Sequence, residues 1–111
     1  MIRGSVYRVD LGDAKRGREQ RGKRLGIVVS DSPDMWTTAT IIPTSTRAQD
    51  AIFRPRLHIA GRDTLALIDQ VRTIDTSYVD GDPVDHLDHT DMMQVDYALG
   101  RWLRLRVELD T

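Results

Sequence analysis

Three short segments concentrate the side chains that could bind or transform a charged ligand. They are residues 17–24 (Gly-Arg-Glu-Gln-Arg-Gly-Lys-Arg), residues 43–46 (Pro-Thr-Ser-Thr) and residues 69–75 (Asp-Gln-Val-Arg-Thr-Ile-Asp). The guanidinium group of an arginine can bind two phosphate or carboxylate oxygens at once, and a hydroxyl can donate a hydrogen bond to the same oxygens. Carboxylate and carboxamide side chains can form hydrogen bonds with unstacked nucleobases. Taken singly, each segment also fits a hairpin loop, a Ser/Thr turn or a salt-bridged strand.

A fourth polar segment, residues 82–91, has the composition of a metal site. It holds these potential ligands: Asp82, Asp85, His86, Asp88, His89 and Asp91. Their spacing matches neither a calcium-binding loop nor a helical pair of zinc-binding histidines. A solvated turn followed by a helix cap is the favoured interpretation, so we predict no metal and no cofactor. His58 falls in a strand pattern, and we assign it no chemistry.

Length, composition and missing residue types bound the class of protein. The 111 residues predict one domain, residues 1–111, with a modest core. A formal net charge of −1 argues against a protein that coats polyanions generally, but it allows a local basic site. No apolar run reaches membrane-spanning length. The absence of cysteine excludes disulfides and thiolate chemistry, and together with a start that shows no secretory pattern it predicts a cytoplasmic protein without membrane association.

The hydrophobic pattern predicts short strands and one helix. Residues 6–11 alternate, with Tyr7, Val9 and Leu11 on one face. A long, glycine-containing basic loop follows at residues 12–23, and loops of this length are usually functional or disordered. Further strands are predicted at residues 25–30, 38–42 (stopping at Pro43), 56–59 and 65–74, the last interrupted by a polar pair.

The predicted helix covers roughly residues 88–105 at the C-terminal end. Asp88 is its candidate N-cap, and Asp91 lies favourably in the first turn. Its apolar stripe consists of Met92, Val95, Leu99, Trp102 and Leu103. Five or so strands and a closing helix predict a mainly β fold, a small antiparallel barrel with the helix packed on it.

The polar segments, taken as an ordered set, resemble the MazF/PemK toxins of bacterial toxin–antitoxin pairs. The resemblance starts at residues 4–7 (Gly-Ser-Val-Tyr), continues through residues 17–24 and 43–46, and ends at residues 69–75, the most specific motif. It departs from the family pattern at Leu25, where proline is expected, and at Ser45, where the hydroxyl is commonly threonine. It departs also at Leu67, where some relatives carry a further active-site arginine.

The resemblance implies a homodimeric SH3-like barrel that cleaves single-stranded RNA without a metal. The ribose 2′-hydroxyl attacks the adjacent phosphate, which leaves a 2′,3′-cyclic phosphate and a 5′-hydroxyl. The expected catalytic residues are Arg24, Ser45 and Asp69. Arg24 would stabilise charge on the phosphate and Ser45 would donate a hydrogen bond to it. Arginine stays protonated near neutrality, so Glu19 and Asp69 are alternative proton acceptors.

The resemblance also implies contacts with RNA and with an inhibitor. The expected RNA-binding residues are Arg18, Glu19, Gln20, Arg21, Thr44, Thr46 and Gln70. A MazE-like antitoxin with an acidic disordered tail would cover the same basic surface and inhibit by exclusion. These expectations make the protein a sequence-selective endoribonuclease held in check by a partner.

Two other functions stay open at the level of sequence. One is a non-enzymatic CcdB-like toxin that inhibits DNA gyrase by binding through its C-terminal residues. The chain ends Arg-Val-Glu-Leu-Asp-Thr at residues 106–111, without the tryptophan-glycine type of ending associated with that activity. The other is a catalytically inactive relative that only binds RNA or antitoxin, which the departures at Leu25 and Leu67 allow.

Overall fold

The computed structural model describes residues 1–12, 17 and 21–106. This part of the chain contains seven strands and one α-helix. The strands are β1 (Ser5–Asp10), β2 (Lys23–Val28), β3 (Thr38–Ser45), β4 (Arg56–Ile59), β5 (Arg62–Ala66), β6 (Arg72–Asp75) and β7 (Val79–His86), and helix α1 covers His89–Leu103. Two short 3-10 turns, Ile68–Gln70 and Thr76–Tyr78, precede β6 and β7 respectively.

The strands form one curled antiparallel sheet in the order β4-β5-β3-β2-β1-β7. Strand β6 also pairs with β3, through Thr38–Ile41, while β5 pairs with the last two residues of β3. The change of partner along β3 bends the sheet into a half-barrel. Helix α1 follows β7 and packs against the sheet through Val95 and Ala98. The predicted mainly β fold, an SH3-like barrel with a C-terminal helix, is confirmed.

The core consists of two apolar clusters, and β1 contributes to both. The larger cluster contains Val6 together with residues of the sheet and of helix α1, including Ile27, Ile42 and Val95. The smaller cluster contains Val9, and Tyr7 and Leu11 pack against it as the alternation predicted. Since successive strand residues face opposite sides of a sheet, Arg8 lies on the opposite side from Val9.

Strand β3 does not stop at Pro43, as the sequence predicted, but continues to Ser45. The Pro43 carbonyl accepts the Leu67 N–H at 2.9 Å, and the missing N–H of the proline faces the same edge of the strand. Along this edge β6 pairs up to Ile41 and β5 pairs from Thr44 onward. The proline therefore lies between two neighbouring strands, where its missing donor removes no ladder hydrogen bond.

Two further expectations are corrected by the structure. Residues 65–74 are not one strand, because a 3-10 turn containing Asp69 and Gln70 separates β5 from β6. Residues 82–86, predicted to form a turn before the helix, are the second part of strand β7. Most β7 side chains are exposed, so the strand lacks the alternation of apolar and polar residues that marks a half-buried strand in a sequence.

The predicted C-terminal helix is confirmed, with ends at His89 and Leu103. The Asp88 carboxylate accepts the Asp91 N–H at 2.8 Å and caps the first turn. Arg104 ends the helix in the left-handed conformation, with φ at 58°. Val95 is fully buried, whereas Trp102 is partly exposed and contacts Phe53 edge to face, with ring centroids 5.2 Å apart. No helix in the described ranges is long and apolar enough to cross a membrane.

Candidate functional site

A cleft of about 390 Å³ opens where β1, β2, the end of β3 and the β4–β5 hairpin meet. We call it the basic cleft. It is lined by Arg8, Lys23, Arg24, Leu25, Thr44, Ser45, Thr46, Ile59, Ala60, Arg62 and Thr64. Of the predicted site residues, the fold thus brings Arg24 from the first polar segment together with the three hydroxyls of the second.

The lining of the basic cleft has a strongly positive charge on a chain of nearly neutral net charge. It contains three arginines, one lysine and four hydroxyl side chains, and no carboxylate lines it among the residues that the structure describes. Basic groups around a concave surface focus a positive potential into it. The cleft therefore has the electrostatics and the hydrogen-bond donors of a site for phosphate groups.

Arg24 lies at the start of β2, opposite Val9 of β1, and its side chain is half-buried. Its Nε donates to the carbonyl of Arg21 at 3.2 Å, which holds the base of the guanidinium. Within the described residues the two terminal amino groups of Arg24 have no partner. They are thus available for paired hydrogen bonds to an anion in the basic cleft.

Ser45 ends β3 and is buried beneath the cleft surface. Its Oγ accepts the backbone N–H groups of Arg47 at 3.2 Å and of Ala48 at 3.1 Å. A hydroxyl has two acceptor positions and one donor. Because both acceptor positions are used, the O–H proton of Ser45 is the group left to bind a ligand, which suits contact with a phosphate oxygen.

Thr44 and Thr46 flank Ser45 and differ in exposure. Thr44 is buried, and its Oγ1 donates to the Leu25 carbonyl at 3.2 Å. That contact uses the backbone of Leu25, so it does not depend on the proline expected at this position. Thr46 is exposed and lines the cleft.

Asp69 and Gln70 do not line the basic cleft. Asp69 instead forms a bidentate ion pair with Arg54, at 3.0 and 2.8 Å. The hydrogen bonds from Arg54 hold the pKa of this carboxyl below its ordinary value. A carboxylate held in this way is a poor proton acceptor. Leu67, at the position where some relatives carry arginine, is fully buried in the core.

Other predicted residues lie outside the described ranges or at their border. Arg18, Glu19 and Gln20 are not among the described residues, nor is most of the basic loop at residues 12–23. The same holds for residues 107–111 at the C-terminal end. Arg21 is described and exposed, and its carbonyl accepts the hydrogen bond from Arg24.

Three polar residues of the cleft were not singled out in the sequence: Arg8, Arg62 and Thr64. Arg8 comes from β1, while the other two come from the hairpin strand β5. The alternation of β1 carries a signal for Arg8, because it places this side chain opposite the apolar face of Val9 and Leu11. The β4–β5 hairpin gives no comparable signal, since its approach to β2 is a property of the tertiary fold.

The hairpin wall of the basic cleft is fastened from a distant strand. Ala60 at the hairpin tip has a φ of 51°, a left-handed conformation that alanine seldom adopts. Its N–H donates to Asp85 Oδ2 of β7 at 2.8 Å, and Asp85 Oδ1 accepts the His86 N–H at 2.7 Å. These hydrogen bonds, the one from Ala60 foremost, lower the pKa of Asp85. Asp85 thus fixes the position of a residue that lines the cleft.

The candidate metal segment at residues 82–91 has structural contacts instead. Asp85 binds the hairpin tip, Asp88 caps helix α1 and His86 Nδ1 lies 2.9 Å from the Leu87 carbonyl oxygen. Across the described part of the chain, no group of three or more His, Cys, Asp or Glu side chains is arranged to hold a metal ion. His58 lies in β4 with Nδ1 3.0 Å from Asp63, as a strand residue with a satisfied ring.

Comparison with known proteins agrees with the fold and the resemblance. Residues 2–103 match the family model described as PemK-like, MazF-like toxin of type II toxin–antitoxin system. The curated toxin Rv3098A of Mycobacterium tuberculosis (strain ATCC 25618 / H37Rv) is 54% identical over 105 residues, which cover 95% of this chain and 99% of the relative.

Solved structures share the fold at low sequence identity. An endoribonuclease from a mycobacterial species, solved in complex with its cognate antitoxin, superposes with a TM-score of 0.77 at 19% identity over 97% of this chain and 99% of the other. MazF from Deinococcus radiodurans superposes with a TM-score of 0.77 at 22% identity, over 92% of this chain and 94% of the other. The match of residues 2–103 and the 54% identical relative show that this chain belongs to the PemK-like, MazF-like toxin family of type II toxin–antitoxin systems.

Proposed function

We propose that the protein is a sequence-selective endoribonuclease toxin that cleaves single-stranded RNA in the basic cleft. The observation that carries the proposal is the grouping of four basic side chains around the buried donor Ser45, without a carboxylate among the described lining residues. Structural neighbours that are named endoribonucleases support it. Membership of the PemK-like, MazF-like toxin family also supports the proposal.

The proposed reaction uses a nucleophile that belongs to the substrate. The ribose 2′-oxygen forms a bond to the adjacent phosphorus while the bond from phosphorus to the 5′-oxygen breaks. The 2′-hydroxyl loses its proton and the leaving 5′-oxygen gains one, which gives a 2′,3′-cyclic phosphate and a 5′-hydroxyl. No metal-activated water is required. The protein must hold the two oxygens in line and stabilise the negative charge of the transition state.

Arg24 and Ser45 are assigned to the phosphate. The terminal amino groups of Arg24 would pair with the non-bridging oxygens, and the Ser45 O–H would donate to one of them. Arg8 and Arg62 would bind neighbouring phosphates along the strand. Arg21 and Thr46 are assigned to binding of the RNA backbone at the cleft rim, and Thr44 is assigned to positioning β2, because its hydroxyl proton is donated to the Leu25 carbonyl. In this proposal Asp69 supports the fold, since Arg54 occupies its carboxylate.

We further propose that a MazE-like antitoxin with an acidic disordered tail covers the basic cleft and that the toxin acts as a homodimer. Named complexes among the structural neighbours support the first part, including an endoribonuclease with its cognate antitoxin and a MazE–MazF pair from Deinococcus radiodurans. An acidic tail matches a cleft lined by three arginines and a lysine. RNA and tail should therefore compete, and both should bind more weakly as salt is raised.

The decisive experiment incubates the purified protein with mixed-sequence RNA in EDTA and identifies the ends of the products. We expect 2′,3′-cyclic phosphate and 5′-hydroxyl ends, and we expect a 2′-deoxy substitution at the cleaved nucleotide to block the reaction. Activity that is lost in EDTA and restored by a divalent ion would contradict the proposed chemistry. A folded protein that leaves RNA intact and inhibits DNA gyrase would instead select the CcdB-like alternative.

A further inference from the structure

A second and larger cleft, of about 580 Å³, adjoins the basic cleft. We call it the tyrosine cleft. It shares Arg8, Lys23, Arg24 and Leu25 with the basic cleft, so these residues form a common wall. The rest of its lining is of different chemistry and consists of Val9, Asp10, Ser77, Tyr78, Val79 and Asp80. A chain of phosphates that follows the common wall would have one cleft on each side.

Tyr78 is held in place by its backbone while much of its ring is open. It ends the 3-10 turn Thr76–Tyr78, whose N-cap Asp75 accepts the Ser77 N–H at 2.8 Å. The Thr76 N–H donates to the Thr37 carbonyl at 2.7 Å, which ties the turn to the residue before β3. The Tyr78 side chain is 53% exposed and has no ring or hydrogen-bond partner in the described part of the chain. An exposed aromatic ring on a well-anchored backbone offers a stacking surface for an unpaired base.

The carboxylates of the tyrosine cleft suit a base and not a phosphate. Asp80 lies directly opposite Arg8 in the β1–β7 register, yet the described residues give it no ion-pair or hydrogen-bond partner. Asp10 is partly used, because its Oδ1 accepts the Gly12 N–H at 2.9 Å. An ionised carboxylate only accepts hydrogen bonds, so it repels a phosphate and attracts the N–H groups of a base edge.

We propose that the tyrosine cleft binds one nucleobase next to the cleaved phosphate, with the base stacked on Tyr78 and its amino group bonded to Asp80. This inference rests on the proposed RNA cleavage and adds to it a site of sequence selection. Adenine, cytosine and guanine carry an amino group that can donate to a carboxylate. Uracil has a single N–H flanked by two carbonyl oxygens, which Asp80 would repel. The cleft therefore selects an amino-bearing base and disfavours uracil at one position.

The first test changes the hydrogen-bonding character of Asp80 and leaves its shape intact. Random-sequence single-stranded RNA is cleaved by wild type and by Asp80→Asn, and the product ends are sequenced. An asparagine has both a donor and an acceptor, so the variant should admit uracil at one position next to the cut, with a preference changed by about tenfold. Asp82→Asn is the matched control, because Asp82 is an exposed residue of the same strand outside both clefts.

The second test separates stacking from the tyrosine hydroxyl. Tyr78→Ala should lower kcat/KM by about tenfold, the scale of one lost base–aromatic stack, whereas Tyr78→Phe should keep activity. Tyr97→Ala is the control, since Tyr97 is similarly exposed, at 49%, and belongs to helix α1. Circular dichroism and thermal melting confirm that each variant is folded.

Binding of the same RNA pool, measured without cleavage by sequencing the retained molecules, keeps this inference distinct from the proposed function. If wild type binds RNA with an amino-base preference that Asp80→Asn removes, the base site stands even where no cleavage is seen, and only the proposed activity fails. An Asp80→Asn variant with wild-type preference at every position would overturn the base site. So would a Tyr78→Ala variant that behaves like Tyr97→Ala.

Discussion

The guanidinium of Arg54 binds the carboxylate of Asp69 through two parallel hydrogen bonds, Nε to Oδ1 at 3.0 Å and Nη2 to Oδ2 at 2.8 Å. Nη1 of Arg54 also donates to the Gln49 carbonyl at 3.0 Å. The two side chains are only 19% and 23% exposed. The pair joins the segment before β4 to the 3-10 turn that links β5 and β6.

We expect Arg54→Ala to lower the free energy of unfolding by about 2 kcal/mol, because it leaves a partly buried carboxylate without its charged donor. Urea denaturation measures the change. Arg56→Ala is the matched control, since Arg56 pairs with Asp50 at the surface, where the two side chains are 58% and 75% exposed. Such surface pairs contribute at most about 1 kcal/mol. Equal losses in the two variants would contradict a structural role for the Arg54–Asp69 pair.

The same pair predicts a pH dependence of stability. Arg54 lowers the pKa of Asp69 below its ordinary 3.8, chiefly through the side-chain hydrogen bonds. A depressed pKa in the folded state contributes stability above the unfolded pKa and loses it as pH falls through the folded pKa. The difference in unfolding free energy between wild type and Asp69→Asn should therefore be constant from about pH 7 to 5 and shrink below about pH 4. A difference that stays unchanged as pH falls from about 5 to about 2 would contradict this assignment.

Arg24→Ala should reduce RNA cleavage about a hundredfold or more while the protein stays folded, because a charge contact to the transition state is lost. Ser45→Ala should reduce cleavage less, because it removes a neutral hydrogen-bond donor and not a charge. The same substitution leaves the Arg47 and Ala48 N–H groups without their acceptor. Single-turnover rates on a fixed RNA give both values. Arg72→Ala removes an exposed strand arginine outside both clefts and should leave the rate unchanged. A folded Arg24→Ala variant with wild-type rate would remove Arg24 from the site.

Asp85→Ala should lower cleavage without altering any cleft side chain. It removes the acceptor of the Ala60 N–H, so the hairpin that carries Arg62 loses its connection to β7. We expect kcat/KM to fall about tenfold, in line with a small displacement of a positioning group, and stability to fall by about 1–2 kcal/mol. Asp82→Ala on the same strand provides the control. An Asp85→Ala variant that loses stability but cleaves normally would limit Asp85 to folding.

The pH–rate profile distinguishes the possible proton acceptors. The described lining residues of the basic cleft include no carboxylate, histidine or cysteine, the side chains that ordinarily accept a proton at or below neutral pH. We therefore expect hydroxide to act as the base, with the logarithm of the rate rising with unit slope over about pH 6 to 8. Glu19→Gln should leave that slope unchanged. A plateau above about pH 5 that disappears in Glu19→Gln would assign the proton to Glu19 instead.

The sequence by itself determined the class of the fold and much of its order. Period-two alternation marked β1, β-branched residues marked β3, and the Asp88 cap with a helical stripe marked α1. These signals are local, because each depends on residues that are adjacent or one turn apart. The ordered motifs around Arg24 and Ser45 likewise placed the chain in its family before any contact was known, and the fold brings those two residues into one cleft.

Only the tertiary structure decided which charged groups share the site. Arg8 and Arg62 line the basic cleft because β1 and the β4–β5 hairpin meet β2 and β3 there. Asp69 lies outside the cleft, where its carboxylate is bound by Arg54, fifteen positions earlier in the chain. Strand β7 was hidden from the sequence for a related reason. It is held by pairing with β1 and has too few buried side chains to show a period. Long-range pairing and charge partners depend on chain closure, which no local pattern of residues encodes.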